Sequence, residues 1–344
     1  MTRTAERRIA FARWRSAVAS GGNRYDDELV TALTGLGIEV SERFMEGPWP
    51  LPTDEDRVAL DEVLQSAPVW LIDNILASAA PDAVAAAVAV GHRVTVLVHY
   101  FPSDDPAHCE SERADLARTE RAAIQAATSV VATSTWTAGE LARRYGRDDV
   151  RVAVPGVAPA PLALGTPDRP HFVWLARVTE TKDPLTCVEA LIRVRDHAWT
   201  AQFVGPDDLD PALSDAVRRR ITDSGLEDRI EVSGPQHGAE LDSTWNRTDL
   251  LIHTARTEPY GMVVTEAVAR RIPSIVPEHT GAAEAQQGAG DQFPVGDAEA
   301  LAVALEEWLT HPETRATWSA AARYRRERLP TWRDTAEVIA DALS

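Results

Sequence analysis

The chain has 344 residues, of which 44% are hydrophobic and 26% charged, and its Lys+Arg 35 against Asp+Glu 53 leave a net charge of −18. That length suggests about two domains, each large enough for its own core, and a surface this acidic argues against nucleic acid and against stable docking on anionic lipid. Cys109 and Cys187 are too few for a disulfide framework or a cysteine zinc site; no apolar run reaches ~18 residues and Met1 to Arg15 lacks a signal-peptide core, so the expected location is cytoplasmic, without membrane insertion.

Taken in chain order, Ile9–Trp14 reads as a strand and Asp26–Gly37 as a helix, with Leu29, Leu33 and Leu36 on one face. The Ala-rich run Ala77–Val90 is interrupted by Pro81 and Asp82 and reads as a soluble helix. Val69–Ile72 and Val94–Val98 are short continuous apolar runs of the buried-strand type. A helix over Arg113–Ala127, a strand over Ser129–Thr133, a helix over Thr137–Tyr145 stopped by Gly146, and a strand over Val150–Val154 complete the first half. Residues 155–170 hold five prolines and read as an inter-domain linker.

The alternation then restarts. Strands are expected at His171–Leu175, Ala201–Val204, Ile230–Val232, Leu250–His253 and Ser274–Val276. Helices are expected from Pro184, over Pro211–Ser224, around Ala239–Asn246, and between Asp297 and Arg328. This predicts an α/β protein of two Rossmann-like, doubly wound parallel sheets facing across a cleft, with domains at 1–160 and 168–329. A last helix over Pro330–Leu343 leaves its domain open, packing back on the N-terminal domain being one alternative.

The densest chemistry lies in Glu258-Pro-Tyr-Gly-Met-Val-Val-Thr-Glu266. Pro259 and Gly261 prevent a continuous helix from Glu258, so a helix should start near Met262 and carry Glu266 about one turn inside it. The amides of residues 261 to 263 then face outward at the positive end of the helix, a ready site for phosphate. Carboxylates flanking an anion site make sense for a ligand with hydroxyls on both sides of its phosphates. A nucleotide sugar is such a ligand.

Arg177 and Lys182 sit five residues apart on the loop after HFVWLA, where two cations can clamp a diphosphate and stabilise it as it leaves; plain surface charge is the alternative. Ser20-Gly21-Gly22-Asn23 precedes the first helix, either as a close backbone approach to a ligand or as an ordinary tight turn. It is not G-x-G-x-x-G, which disfavours a dinucleotide oxidoreductase. His99 ends the run TVLVH and would emerge at the cleft, to bond a sugar hydroxyl or phosphate or to serve structure alone. No histidine or cysteine spacing marks a metal site.

Together SGGNRYDDELVTALTGLG, LVHYFP, VVATSTWTAGELARRYG, VAVPGV, LARVTETKDP, EVSGPQHGAEL and TDLLIHTARTEPYGMVVTEAVARRIPSIVPEHTGAAE resemble the retaining, GT-B-fold glycosyltransferases of family 4 (group 1), over nearly the whole chain. The resemblance implies a hexosyltransferase that needs neither metal nor other cofactor and moves a hexose with retention from a nucleoside diphosphate sugar, UDP- or GDP-linked, to a hydroxyl of a small molecule, glycan or lipid. It implies that Glu266 binds the ribose, that Glu258 binds a hydroxyl of the donor sugar, and that the amides from Tyr260 through Gly261 and Met262 to Val263 surround sugar and phosphates. Arg177 and Lys182 would hold the diphosphate, Gly21 and Gly22 would approach it from the opposite domain, and His99 would lie near the reacting sugar. Two departures stand out: Lys182 is followed by Asp183 where glycine is usual, and the usual glycine pair before Glu284 is Gly281-Ala282. They motivate one alternative, a non-catalytic nucleotide-sugar-binding homologue. The other is a nucleotide-sugar epimerase; a pyridoxal-dependent phosphorylase lacks a suitable lysine.

Overall fold

The computed structural model describes residues 7–14 and 20–344; residues 1–6 and 15 of the N-terminal segment read in the sequence lie outside them. Two compact units share the chain, one running up to Gly156 and resuming at Pro330–Ser344, the other comprising Val157–Leu329.

The first unit is built from β1 (Arg7–Trp14), α1 (Gly21–Gly35), β2 (Ile38–Met45), α2 (Asp54–Leu64), β3 (Val69–Asp73), α3 (Asn74–Ala79), α4 (Pro81–Ala89), β4 (Arg93–Val98), α5 (Glu110–Ala126), β5 (Ser129–Ala132), α6 (Thr135–Tyr145) and β6 (Arg151–Val152). Its strands are parallel, in the order β2-β1-β3-β4-β5-β6. The runs read as buried strands are so: Trp70, Leu71 and Ile72 of β3 and Val94 and Val96 of β4 are fully enclosed, each aliphatic side chain contributing roughly 1.5–3 kcal/mol on burial.

Local differences from the sequence reading have local causes. Ser20 caps α1 by accepting from the Asn23 amide at 3.1 Å, so the helix opens at Gly21 and takes both glycines into its first turn. The Ala-rich run is two helices, because Ala80 before Pro81 leaves the helical region and Pro81 starts α4. β2 and α2 escape the pattern search: the exposed and charged positions of IEVSERFM mask a strand paired with β1 along its whole length.

The second unit contains β7 (His171–Leu175), α7 (Pro184–Arg193), β8 (Thr200–Val204), α8 (Pro211–Asp223), β9 (Ile230–Gly234), α9 (Gly238–Arg247), β10 (Leu250–Ile252), α10 (Met262–Ala269), β11 (Ser274–Pro277), α11 (Gly281–Gln286), β12 (Gly290–Phe293), α12 (Ala298–Thr310) and α13 (Pro312–Arg326). Strand order is β12-β11-β10-β7-β8-β9, all parallel. This is the doubly wound order in which the chain reverses direction across the sheet between its first and fourth strands, here β7 and β10.

The proline-rich segment is not a free linker. The Ala163 amide donates to the Arg270 carbonyl at 3.1 Å, the Leu164 amide to the Asn246 carbonyl at 2.9 Å, and the Thr166 hydroxyl to Asp249. Proline removes its own donors, but these intervening residues keep theirs and tie the segment to the second unit. The last helix, α14 (Trp332–Ala342), belongs to the first unit. There Trp332 meets Tyr25 edge to face at 5.3 Å, and the Thr335 hydroxyl donates to the Val154 carbonyl at 2.7 Å. No helix among the described residues is long and apolar enough to cross a membrane.

Candidate functional site

In the second unit, strand order decides which loops meet. β7 and β10 are neighbours, and the connections leaving them wind to opposite sides, opening a crevice at their carboxyl ends. The first of those loops carries Arg177 and Lys182, the second Glu258 to Gly261. They are stitched together: the Arg256 amide donates to the Thr181 carbonyl at 2.8 Å, and the Thr254 hydroxyl reaches the carbonyls of Lys182 and Asp183 at 2.9 and 2.8 Å.

At this junction the Lys182 ammonium donates to Glu258 Oε2 at 2.6 Å, with only 20% and 12% of the two side chains exposed. His253 Nε2 stands 3.2 Å from the same oxygen. Burial alone would raise the Glu258 pKa, but the Lys182 charge and the contacts from His253 and Lys182 outweigh it and hold the carboxyl well below the usual range. Glu258 is therefore a fixed anion, and Lys182 is half committed to it. Arg177, on the same loop, is half-buried and makes no ion pair among the described residues.

Past Glu258 the chain turns into α10. Gly261 takes φ +87 at its amino end, a left-handed conformation that disfavours any side chain, and no side chain caps the helix. The first-turn amides at Met262 and Val263 are thus in the position expected for anion contact, and Glu266 follows one turn on, half-buried. The Tyr260 ring lies inside, 4% exposed, its hydroxyl pushed up to about 12, by burial foremost. Only its backbone remains for a ligand.

Neither departure from the family pattern disturbs this arrangement. Asp183 adopts φ 48 as the cap of α7, accepts from the Thr186 hydroxyl at 2.8 Å, and pairs with Arg256 at 2.9 Å. Asp and Asn are the side chains that tolerate this backbone region best, and these partners occupy its carboxylate. At the other departure, a Cβ on Gly281 would fall 1.9 Å from the Pro259 carbonyl oxygen, so the loop requires glycine there. Ala282 carries no such clash and is fully buried.

The first unit holds its own constellation, also where its strand order reverses, between β1 and β3. Gly22 and His99, read separately in the sequence, come together: a Cβ on Gly22 would stand 3.4 Å from His99 Cγ. Gly21, just before it, is exposed. His99 Nε2 bonds Asp26 Oδ1 at 2.8 Å, its ring meets Tyr25 edge to face at 5.1 Å, and its amide donates to Asn74 at 2.9 Å. Arg13 reaches Asp26 at 3.5 Å, Asp27 at 2.7 Å and Glu42 at 2.6 Å. Burial lowers the His99 pKa, but Asp26 and then Asp73 more than reverse that and leave it raised. Burial likewise pushes the Asp73 carboxyl up to about 6, against the opposing charge of His99.

Asp26, Asp73, Arg13 and His253 escaped the sequence reading. Two had a signal: Asp26 lies one helical turn after Gly22 and so shares its face, and His253 follows its strand as His99 follows VTVLV.

Residues 164–325 match the family model described as glycosyl transferases group 1. Over that stretch, a little under half of its length, the chain is similar to this family. It is 27% identical over 232 residues to a D-inositol 3-phosphate glycosyltransferase of Salinispora arenicola, covering 59% of this chain and 52% of that protein. It is 26% identical over 138 residues to a mannosylfructose-phosphate synthase of Agrobacterium fabrum, covering 39% of this chain and 30% of that protein. The matches thus span about half and about a third of these curated relatives. Among solved structures, Anabaena Alr3699/HepE in complex with UDP and glucose aligns with TM-score 0.78 at 17% identity, over 98% of this chain and 99% of that one. The fold is therefore GT-B, an α/β architecture of two parallel-sheet domains.

Proposed function

We propose that the protein transfers a hexose from a nucleoside diphosphate sugar to a hydroxyl acceptor, with retention at the anomeric carbon and without a metal. The observation that carries this reading is the Lys182–Glu258–His253 cluster set beside an uncapped α10 amino end. It offers a fixed carboxylate for a sugar hydroxyl, two cations and a row of amides for the diphosphate, and Glu266 for the ribose. Arg177 and Lys182 supply the positive charge that the leaving diphosphate needs, and the diphosphate accepts the acceptor's proton on the face it leaves. His99 and Gly22 keep the roles that the resemblance gives them. The neighbour that holds UDP and glucose makes UDP-glucose the first donor to try.

A thermal-shift panel of UDP-, GDP- and ADP-sugars tests the donor reading, since a ligand that binds only the folded chain raises its apparent stability. One nucleotide sugar is expected to stand out, and Glu266→Ala is expected to weaken its binding in calorimetry. Flat melting curves throughout would remove the donor assignment. Transfer undiminished by EDTA is the expected result for metal independence. Isomerised donor in an acceptor-free NMR assay would point instead to an epimerase.

A further inference from the structure

At the opposite, amino ends of β7, β8, β10 and β11 the second unit has a cavity of about 550 Å3. Arg271, Arg315, Trp308, His197, Asp168 and Asp249 are among the residues lining it. Its size is within the range of small-molecule sites, roughly 300–1,000 Å3, and larger than a lone phosphate needs.

Three observations point to an anion. Arg271, the second residue after α10, sits at φ 65, a helix-ending conformation that glycine takes freely and arginine does not. A strained arginine persists where its side chain is used, yet its guanidinium has no hydrogen bond or ion pair among the described residues, and its buried Nε is unpartnered. Arg315 spends one nitrogen on the carbonyls of Trp308 and Leu309 and pairs with no carboxylate among the described residues. Trp308, 4% exposed, carries an indole N–H without an acceptor.

The carboxylates present do not neutralise this pair. Asp249 accepts from the amides of Thr166 and His171 and from the Thr166 hydroxyl, and Asp168 is exposed. In a chain of net charge −18, Arg271 and Arg315 thus line the same cavity without a carboxylate partner among the described residues.

We infer that this cavity is a second ligand site, separate from the donor loops and independent of the donor reading, which takes a phosphate-bearing small molecule through Arg271 and Arg315. Guanidinium groups match phosphate oxygens in charge and in planar, two-pronged geometry.

The test is a thermal-shift and calorimetric titration of the full chain with inorganic phosphate and with glucose 6-phosphate, up to about 10 mM. A shift is expected in the wild type and in Arg177→Ala, whose substitution lies at the donor loops. Arg271→Gly should raise the ligand-free melting temperature by relieving the backbone, yet bind the same probe at least ~10-fold more weakly. Arg315→Gln should also weaken it. Tighter binding of glucose 6-phosphate than of inorganic phosphate identifies an organic phosphate as the ligand; equal binding identifies the free anion. No shift with either probe, or a shift unchanged in both Arg271→Gly and Arg315→Gln, overturns the inference.

Discussion

The two domains hold opposite charges by the same device. Around His99, a weak base is enclosed by carboxylates, with Asp26 in contact and Asp73 nearby. Around Glu258, a carboxylate is enclosed by a base and an ammonium, His253 and Lys182. Each cluster sits at the carboxyl ends of strands where its sheet order reverses, and in each the partners' charge overrides a burial effect that acts alone in the other direction. The clusters differ in completeness. The His99 group is closed by Arg13, Asn74 and Tyr25, whereas the Glu258 group is followed by a helix without a side-chain cap, and Arg177, on the same loop as Lys182, makes no ion pair among the described residues.

The largest expected effect comes from opening the closed cluster. Asp26→Ala leaves His99 and Arg13 buried without their central carboxylate and should cost ~3–5 kcal/mol in denaturant unfolding. A loss below ~1 kcal/mol would show that the cluster is not a charge lock. The open cluster should answer in turnover instead. Arg177→Ala and Lys182→Ala are each expected to lower kcat by ~100–1,000-fold, and near-normal rates in both would end their assignment to the diphosphate.

The pH response separates the clusters next. His99, raised in the folded state, contributes stability that is fully present below its unfolded value near ~6.5 and lost as pH rises through the folded one. Asp73, raised to about 6, also makes the native state less stable as pH rises from its unfolded value through that point. Glu258, held low, contributes stability that is fully present above its unfolded value and is lost progressively as pH falls below that value and through the depressed folded one. Asp73→Asn keeps a helix-capping side chain and removes the charge. It should gain stability on the order of 2 kcal/mol over wild type at pH ~8 and little at pH ~4; equal gains at both would refute the ionised cost. The smallest effect belongs to Arg256→Ala, whose pair with Asp183 is 53% exposed on the arginine side; less than ~1 kcal/mol is expected in the same denaturation assay.

Much of this was legible residue by residue. The start of α10 at Met262 follows from Pro259 and Gly261, and β7 matches its apolar run because continuous hydrophobic stretches of that length serve fully buried parallel strands. Arg177, Lys182, Glu258 and Glu266 stood out because charged residues just beyond such strands have no core role. What stayed hidden was partnership. Nothing near Lys182 signals Glu258, 76 residues on, and nothing near His99 signals Asp26, 73 residues back. Prolines made 155–170 resemble a linker, since periodicity is blind to amides that find partners in Asn246 and Arg270.

By itself the sequence determined the α/β alternation, the helix starts and stops, and the chemical types placed on the loops after the strands, because these depend on side chains a few positions apart. Only the tertiary structure decided that β7 lies beside β10, that α14 joins the first domain, and that Lys182 closes on Glu258 while Gly22 backs onto His99. Those are contacts between segments far apart in the chain, and they follow from the order in which strands join a sheet, an order local hydrophobic pattern does not encode.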